Sequence, residues 1–192
     1  MPRNNRISLR PAGTRLPHLD APGSFQAVTF RLADSLPADV AEKRLALAGP
    51  AQRARWAAML DAGGGECLLR DARAATIVET ALLHFDGVRY DLRAWCVMPN
   101  HVHVLVRTCA GHPLADVLRA WKSFSALHIN RTLGRSGKVW WRNYFDRFIR
   151  NEAHLAAVMR YIHHNPVAAG LVAAPEDWPF SSARRLRPDA RL

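Results

Sequence analysis

The sequence predicts an α+β fold, with helices packed on a central antiparallel sheet, and three observations carry that prediction. Apolar residues alternate with polar ones over Phe25–Leu32, Val88–Met98 and His101–Val106, which is the period of a β-strand. Apolar residues recur at helical spacing over Ala72–Phe85, Leu114–His128 and Leu155–Ile162. Pro99-Asn100 interrupts the ladder between two of the strands, so that pair is expected to return antiparallel.

Taken in order, residues 1–24 combine Arg3, Arg6, Arg10 and Arg15 with Pro2, Pro11, Pro17 and Pro22 and show no hydrophobic period, which reads as a flexible basic N-terminal arm. In the first strand, Phe25–Leu32, the residues Val28, Phe30 and Leu32 share one face. Asp34-Ser35-Leu36-Pro37 ends it. Ala38–Leu47 and Gln52–Leu60 are rich in Ala, Leu and Arg and read as structural helices, closed by Gly63-Gly64-Gly65. Ala72–Phe85 is a further helix whose Ile77, Leu82, Leu83 and Phe85 can pack on a sheet. Over Val88–Met98, alternation places Val88, Tyr90, Leu92, Ala94, Cys96 and Met98 on one side and Arg89, Asp91, Arg93 and Trp95 on the other.

The next strand carries the chemistry. His101, His103 and Leu105 point one way and Val102, Val104 and Val106 the other, so two imidazoles stand side by side, roughly 7 Å apart along the strand. That spacing lets both hold one divalent metal ion. It also suits a β-branched strand that happens to carry two half-exposed histidines. Pro113 then opens a helix whose Leu114, Val117, Leu118, Trp121, Phe124 and His128 form a buried stripe, with Lys122 and Ser123 off it. Gly134–Lys138 is a loop by composition. Val139–Arg150 interleaves aromatic and basic residues, which fits either a nucleic-acid surface or a buried strand. Asn151 can cap a helix from Glu152 to about His164, stopped by Asn165-Pro166, with Leu155, Val158, Met159 and Ile162 as its core stripe. Tyr161 and Asn165 fall one turn apart on a flank, with His154 on the same side.

Composition bounds the partner. The 192 residues carry 27 Lys and Arg against 16 Asp and Glu, a formal charge of +11. Such an excess points to a polyanion, nucleic acid before an anionic membrane surface, though it also serves solubility. Cys67, Cys96 and Cys109 form no Cys-x-x-Cys pair, which argues against a disulfide framework or a zinc ribbon. With neither a signal-peptide core nor a membrane-length apolar run, the chain is expected to be soluble and cytoplasmic, associated with the nucleoid.

Met98–Val106, with its Asn100-His101-Val102-His103 core, resembles the His-hydrophobic-His signature of the single-tyrosine HUH transposases, and Tyr161–Val172 resembles their tyrosine-helix block. The nearest branch is the REP-associated tyrosine transposases. Phe25–Leu32, Lys122-Ser123-Phe124-Ser125, Trp140–Arg150 and Trp178-Pro179-Phe180-Ser181-Ser182 extend the likeness in the same order, so that it covers about residues 25–182. Trp141 departs from it, standing where the family commonly has a polar residue such as Gln.

The resemblance implies a ferredoxin-like or RRM-like sandwich. It implies a single catalytic domain over 25–182, with 183–192 as a basic tail. Tyr161 is the implied nucleophile, and His101, His103 and Asn165 the implied metal ligands, for Mg²⁺ or Mn²⁺ with zinc not excluded by ligand type. The implied reaction is nicking and joining of single-stranded or hairpin DNA through a 5′-phosphotyrosine, at palindromic sites. Arg93, Lys122, Arg142, Arg147 and Arg150 are the expected DNA contacts. A non-cleaving DNA-binding protein and a water-using metal-dependent phosphoesterase remain as alternatives. Of the three tyrosines, Tyr144 is the rival nucleophile. The base, the choice of monomer or homodimer, and action of Tyr161 in cis or in trans stay open.

Overall fold

The computed structural model describes residues 23–36 and 58–186, together with Arg55 and two short strands, Ser8–Leu9 and Leu19–Asp20. The two short strands pair antiparallel within the segment expected to be an arm. The rest of that arm, the helix expected over 38–47, most of that over 52–60 and the tail beyond 186 lie outside the described residues.

Four strands form the sheet: β1 (Phe25–Arg31), β2 (Tyr90–Val97), β3 (His101–Thr108) and β4 (Phe145–Phe148). Their order is β2-β3-β1-β4, and every neighbouring pair is antiparallel. Helix α1 (Ala72–Leu83) joins β1 to β2, and α2 (Leu114–Thr132) joins β3 to β4. This β-α-β-β-α-β path with the first strand central is the ferredoxin-like arrangement that the resemblance implied. A third helix, α3 (Glu152–Ala168), follows. No helix among the described residues is long and apolar enough to cross a membrane.

The sheet separates two cores. On one side Val28, Phe30, Leu32, Val102, Val104 and Val106 meet α1 and α2 through Val78, Leu82, Leu118 and Trp121. On the other, Ala94, Cys96, Met98 and Leu105 meet α3 through Ile162, with Leu155, Val158 and Met159 partly buried. Burying one such aliphatic side chain contributes about 1.5–3 kcal/mol, so both layers hold the sheet.

Three expectations are corrected. The alternation along β2 does not run unbroken, because a β-bulge between Leu92 and Ala94 leaves Arg93 extra. One added residue exchanges the faces beyond it. Tyr90, Leu92, Trp95 and Val97 therefore share the α1/α2 core, while Ala94, Cys96 and Met98 turn to α3. On α2 the buried stripe ends in Ser125 and Ile129 rather than Phe124 and His128. Ser125 Oγ donates to the Trp121 carbonyl at 2.6 Å and accepts from Trp140 Nε1 at 2.9 Å, which makes a polar residue the better core neighbour. Phe124 is exposed and stacks on His128 instead. Finally, α3 does not stop before Pro166 but runs through it to Ala168. A proline so near the end removes one backbone donor, and the turn closes through Ala169 N to the Asn165 carbonyl and Leu171 N to the Pro166 carbonyl.

The edge of β2 is covered. Val97 N donates to the Phe180 carbonyl and Trp178 Nε1 to the Val97 carbonyl, both at 2.9 Å, and Ser182 Oγ accepts from Trp95 N at 3.0 Å. Trp178–Ser182 thus acts as a strap that hides an otherwise open ladder.

Candidate active site

The site lies on the α3 side of the sheet, and the register of β1 against β3 explains how it is assembled. Thr29 stands opposite His103 and Arg31 opposite His101, so all four side chains project from one face. The imidazole Nε2 atoms converge to 2.9 Å, with the ring planes almost perpendicular. Each Nδ1 is held from behind: His101 by Asn100 Oδ1 at 2.7 Å and His103 by Thr29 Oγ1 at 2.8 Å.

The Asn100 contact assigns a tautomer. Its Nδ2 donates to the Leu60 and Gly64 carbonyls, each at 3.0 Å, so its Oδ1 is an acceptor and His101 Nδ1 must carry the proton. His101 Nε2 therefore presents a lone pair to the site. Thr29 can either donate or accept, which lets His103 present its Nε2 lone pair as well without losing its support. Burial, followed by the neighbouring His103, holds the His101 pKa well below its usual range, and burial lowers that of His103 to about 4. Both rings are neutral near pH 7, as metal ligands must be.

Asp61 completes the cluster. Its Oδ1 lies 3.5 Å from His101 Nε2, and the three ligating atoms fall within 4.8 Å of one another. Burial raises its carboxyl to about 6. Asp61 Oδ1 and Asn165 Oδ1 are both buried without a hydrogen-bond partner among the described residues. Two neutral imidazoles and a carboxylate make a mixed N/O donor set that fits a divalent cation, and the carboxylate strengthens the case for a hard ion such as Mg²⁺ or Mn²⁺.

Sequence reasoning missed Asp61. The available signal was the triple glycine after it. An added Cβ on Gly64 would sit 2.8 Å from the Ser35 carbonyl, and Gly65, at φ +83, would meet Asp34 at the same distance. Only glycine permits this close approach, which folds residues 58–66 against the end of β1 and carries Asp61 to the histidines.

Tyr161 comes from α3. Asn151 caps that helix by accepting from His154 N at 2.8 Å, and Ile162 anchors it in the core. The Tyr161 ring stands edge-on to His103 with centroids 5.4 Å apart, within one chain, and 46% of the residue is exposed. Burial and then the Asp61 carboxylate push its phenol up to about 12, opposed by a hydrogen bond with Asn165. Of the rival tyrosines, Tyr90 donates to the Leu82 carbonyl at 2.8 Å in the opposite core, and Tyr144 is buried. His163 is engaged with Ser182 Oγ and His164 with the Arg160 carbonyl, whereas His154 Nε2 has no partner among the described residues.

The expected DNA contacts divide by position. Arg147 is exposed on β4 opposite Ala27, on the site face, and Arg150 is exposed just before α3. Lys122 Nζ donates to the Arg142 and Asn143 carbonyls, bracing the loop before β4. Arg142 lines a groove of about 650 Å³ with Arg119, Lys122, Lys138, Trp140 and Trp141. Arg93 occupies the bulge of β2, at the far edge of the sheet.

Residues 72–165 match the family described as "Transposase IS200 like". A protein of Haemophilus influenzae, provisionally named a REP-associated tyrosine transposase, is 28% identical over 106 residues, covering 50% of this chain and 60% of that protein. The REP-associated tyrosine transposase of Escherichia coli K12 is 28% identical over 96 residues, covering 50% of this chain and 56% of its own. The matched stretch thus spans less than two thirds of either relative. A solved structure of a REP-associated tyrosine transposase bound to a REP hairpin superposes with a TM-score of 0.54 at 19% identity, covering 89% of this chain and 83% of the other, which establishes a shared fold. These matches bear out the resemblance to the REP-associated tyrosine transposases drawn from the motifs.

Proposed function

We propose, from the IS200-like transposase match and the geometry of the site, that this chain is a metal-dependent transposase-type enzyme that nicks and joins single-stranded DNA at hairpin or palindromic sites through a 5′-phosphotyrosine. The single observation that carries the reading is the convergence of Asp61, His101 and His103 on one face with Tyr161 beside them in the same chain.

In this reading Asp61, His101 and His103 hold the cation, with Asn165 able to add its free amide oxygen. A divalent ion there would polarise a phosphate oxygen and supply positive charge where negative charge develops. Tyr161 Oη attacks phosphorus in line: the Oη–P bond forms, the P–O3′ bond breaks, the phenolic proton leaves and the 3′-oxygen takes up a proton. Reversal by an incoming 3′-hydroxyl restores a phosphodiester and frees Tyr161, so joining needs no nucleotide cofactor. With the phenol at about 12, only about one molecule in 10⁵ is phenolate at pH 7, and activation must come at the moment of attack. The Asn165 side chain, one turn on, opposes the rise of the phenol pKa. The contact of Tyr161 with His103 of its own chain supports action in cis.

Labelled hairpin oligonucleotides incubated with Mg²⁺ or Mn²⁺ should yield an adduct that survives denaturing electrophoresis and is lost in Tyr161→Phe. Cleavage retained in Tyr161→Phe would identify water as the nucleophile and overturn this reading. Complementation tests the cis assignment: mixing Tyr161→Phe with His101→Ala chains should restore nothing.

A further inference from the structure

A second set of unsatisfied donors lies beside the histidines and plays no part in holding them. Arg31 is 3% exposed and projects from the same sheet face as His101, which it opposes across the β1–β3 pair, about 5 Å away. Its Nη1 donates to Ser35 Oγ at 3.0 Å and to the Leu32 carbonyl at 3.2 Å, both neutral groups. Among the described residues its Nη2 is buried without a hydrogen-bond partner and Arg31 forms no ion pair, the Asp34 carboxylate acting on it only from beyond ion-pair distance. The Trp141 indole stacks on this guanidinium at 4.5 Å, and its own Nε1–H is likewise buried without a partner.

Both residues line one recess, with Thr29, Leu60 and Asn143, and its volume is about 10 Å³. That is about the space of one oxygen-sized group, too small for a base. Two unmatched donors, one of them charged, call for an anionic acceptor. A water molecule would leave its own two protons to place. Trp141 also lines the 650 Å³ groove, where Lys138 sits 5.0 Å from the same ring. Burial, and then the nearby Lys138 and Arg31, lower the Lys122 pKa to about 8, which marks a cluster of cations here.

We propose that Arg31 Nη2 and Trp141 Nε1 form a subsite for one oxygen of a non-reacting phosphodiester, next to the phosphate at the histidines, and that the strand continues from there into the Lys122–Lys138 groove. The proposal rests on the reading that the histidine site receives a DNA phosphate. It assigns Trp141 a positioning and binding role, its ring face held by cations and its N–H directed to phosphate.

The test is equilibrium binding of a fluorescein-labelled single-stranded DNA carrying one hairpin, followed by anisotropy between about 50 and 200 mM NaCl. All chains carry Tyr161→Phe, so binding is read without cleavage. Adding Arg31→Gln should weaken binding and reduce the slope of log affinity against log salt by about 0.7, one phosphate contact on a single strand. Adding Trp141→Phe, which keeps the ring and loses the donor, should weaken binding about tenfold and leave the slope unchanged. Thermal melts establish that each variant is folded; if Arg31→Gln is not, Trp141→Phe decides. Wild-type affinity in Trp141→Phe, or an unchanged slope in folded Arg31→Gln, overturns the subsite. Inorganic phosphate should compete no better than chloride at equal ionic strength, and saturable competition would make this a free-anion site and overturn the strand path. Failure here leaves the Tyr161 adduct of the wild-type chain intact, whereas failure of the transposase reading removes the adduct and leaves these binding changes in place.

Discussion

Strand β3 has two sides that differ in kind. Val102, Val104 and Val106 face a dry core in which each meets aliphatic or aromatic partners. His101 and His103 face polar groups, several of which are left with unmatched atoms. The two sets alternate along one strand. A protein can thus place its stability and its chemistry a single residue apart, because side chains in a strand alternate faces. The valine side is saturated, while the histidine side keeps buried polar atoms without hydrogen-bond partners among the described residues.

Breaking the valine side should have the largest effect on folding. Val104→Asp buries an unpaired charge and is expected to cost more than about 3 kcal/mol, read as loss of the cooperative urea transition. Glu79→Ala leaves Trp95 Nε1, which donates to it at 2.9 Å, without a partner, for a cost of about 1–3 kcal/mol in the same measurement.

The histidine side should respond to pH and to cations instead. Because the Asp61 carboxyl is raised to about 6, protonation competes with a cation below that pH, so Mn²⁺ affinity measured by calorimetry should fall as pH drops from 7 to 5. In Asp61→Asn binding should weaken and this pH step should vanish. With a chelator present, the two sets of groups have opposite signs. His103, depressed to about 4, adds stability that is present above its ordinary value near 6.5 and lost as pH falls towards 4. Asp61, raised to about 6, adds stability that is present below its ordinary range and lost as pH rises through 6. His101, held lower still, acts with the sign of His103, so two imidazoles outweigh one carboxyl: the urea midpoint should fall on acidification from pH 6 to 4 in the wild type, and fall more steeply in Asp61→Asn. The smallest effect belongs to the helix that presents Tyr161: Asn151→Ala removes its cap and should cost about 1 kcal/mol.

How legible these two sides are in the sequence depends on the range of the interactions that build them. His101 and His103 were readable because strand alternation is local, and the Tyr161–Asn165 flank because helix spacing is local. The pairing of β2 with β3 followed from Pro99-Asn100. The face exchange in β2 was hidden, since Arg93 fits the alternation and becomes a bulge only against its partner strand. Ser125 in place of Phe124 needed knowledge of the Trp140 indole, fifteen residues away. Asp61 needed most, as it reaches the histidines through glycine contacts with β1 and carbonyls that accept from Asn100. Arg31 gave no sign of being buried, because a charged residue at a strand end is ordinarily solvated.

The central claim is that Tyr161 is the group that attacks phosphorus, and peptide mapping of the protein–DNA adduct tests it most directly. After nuclease trimming and proteolysis, mass spectrometry should find the nucleotide mass on the peptide containing Tyr161, with Tyr90 and Tyr144 unmodified. Nucleotide mass on Tyr144, or efficient cleavage with no modified tyrosine, would contradict the account.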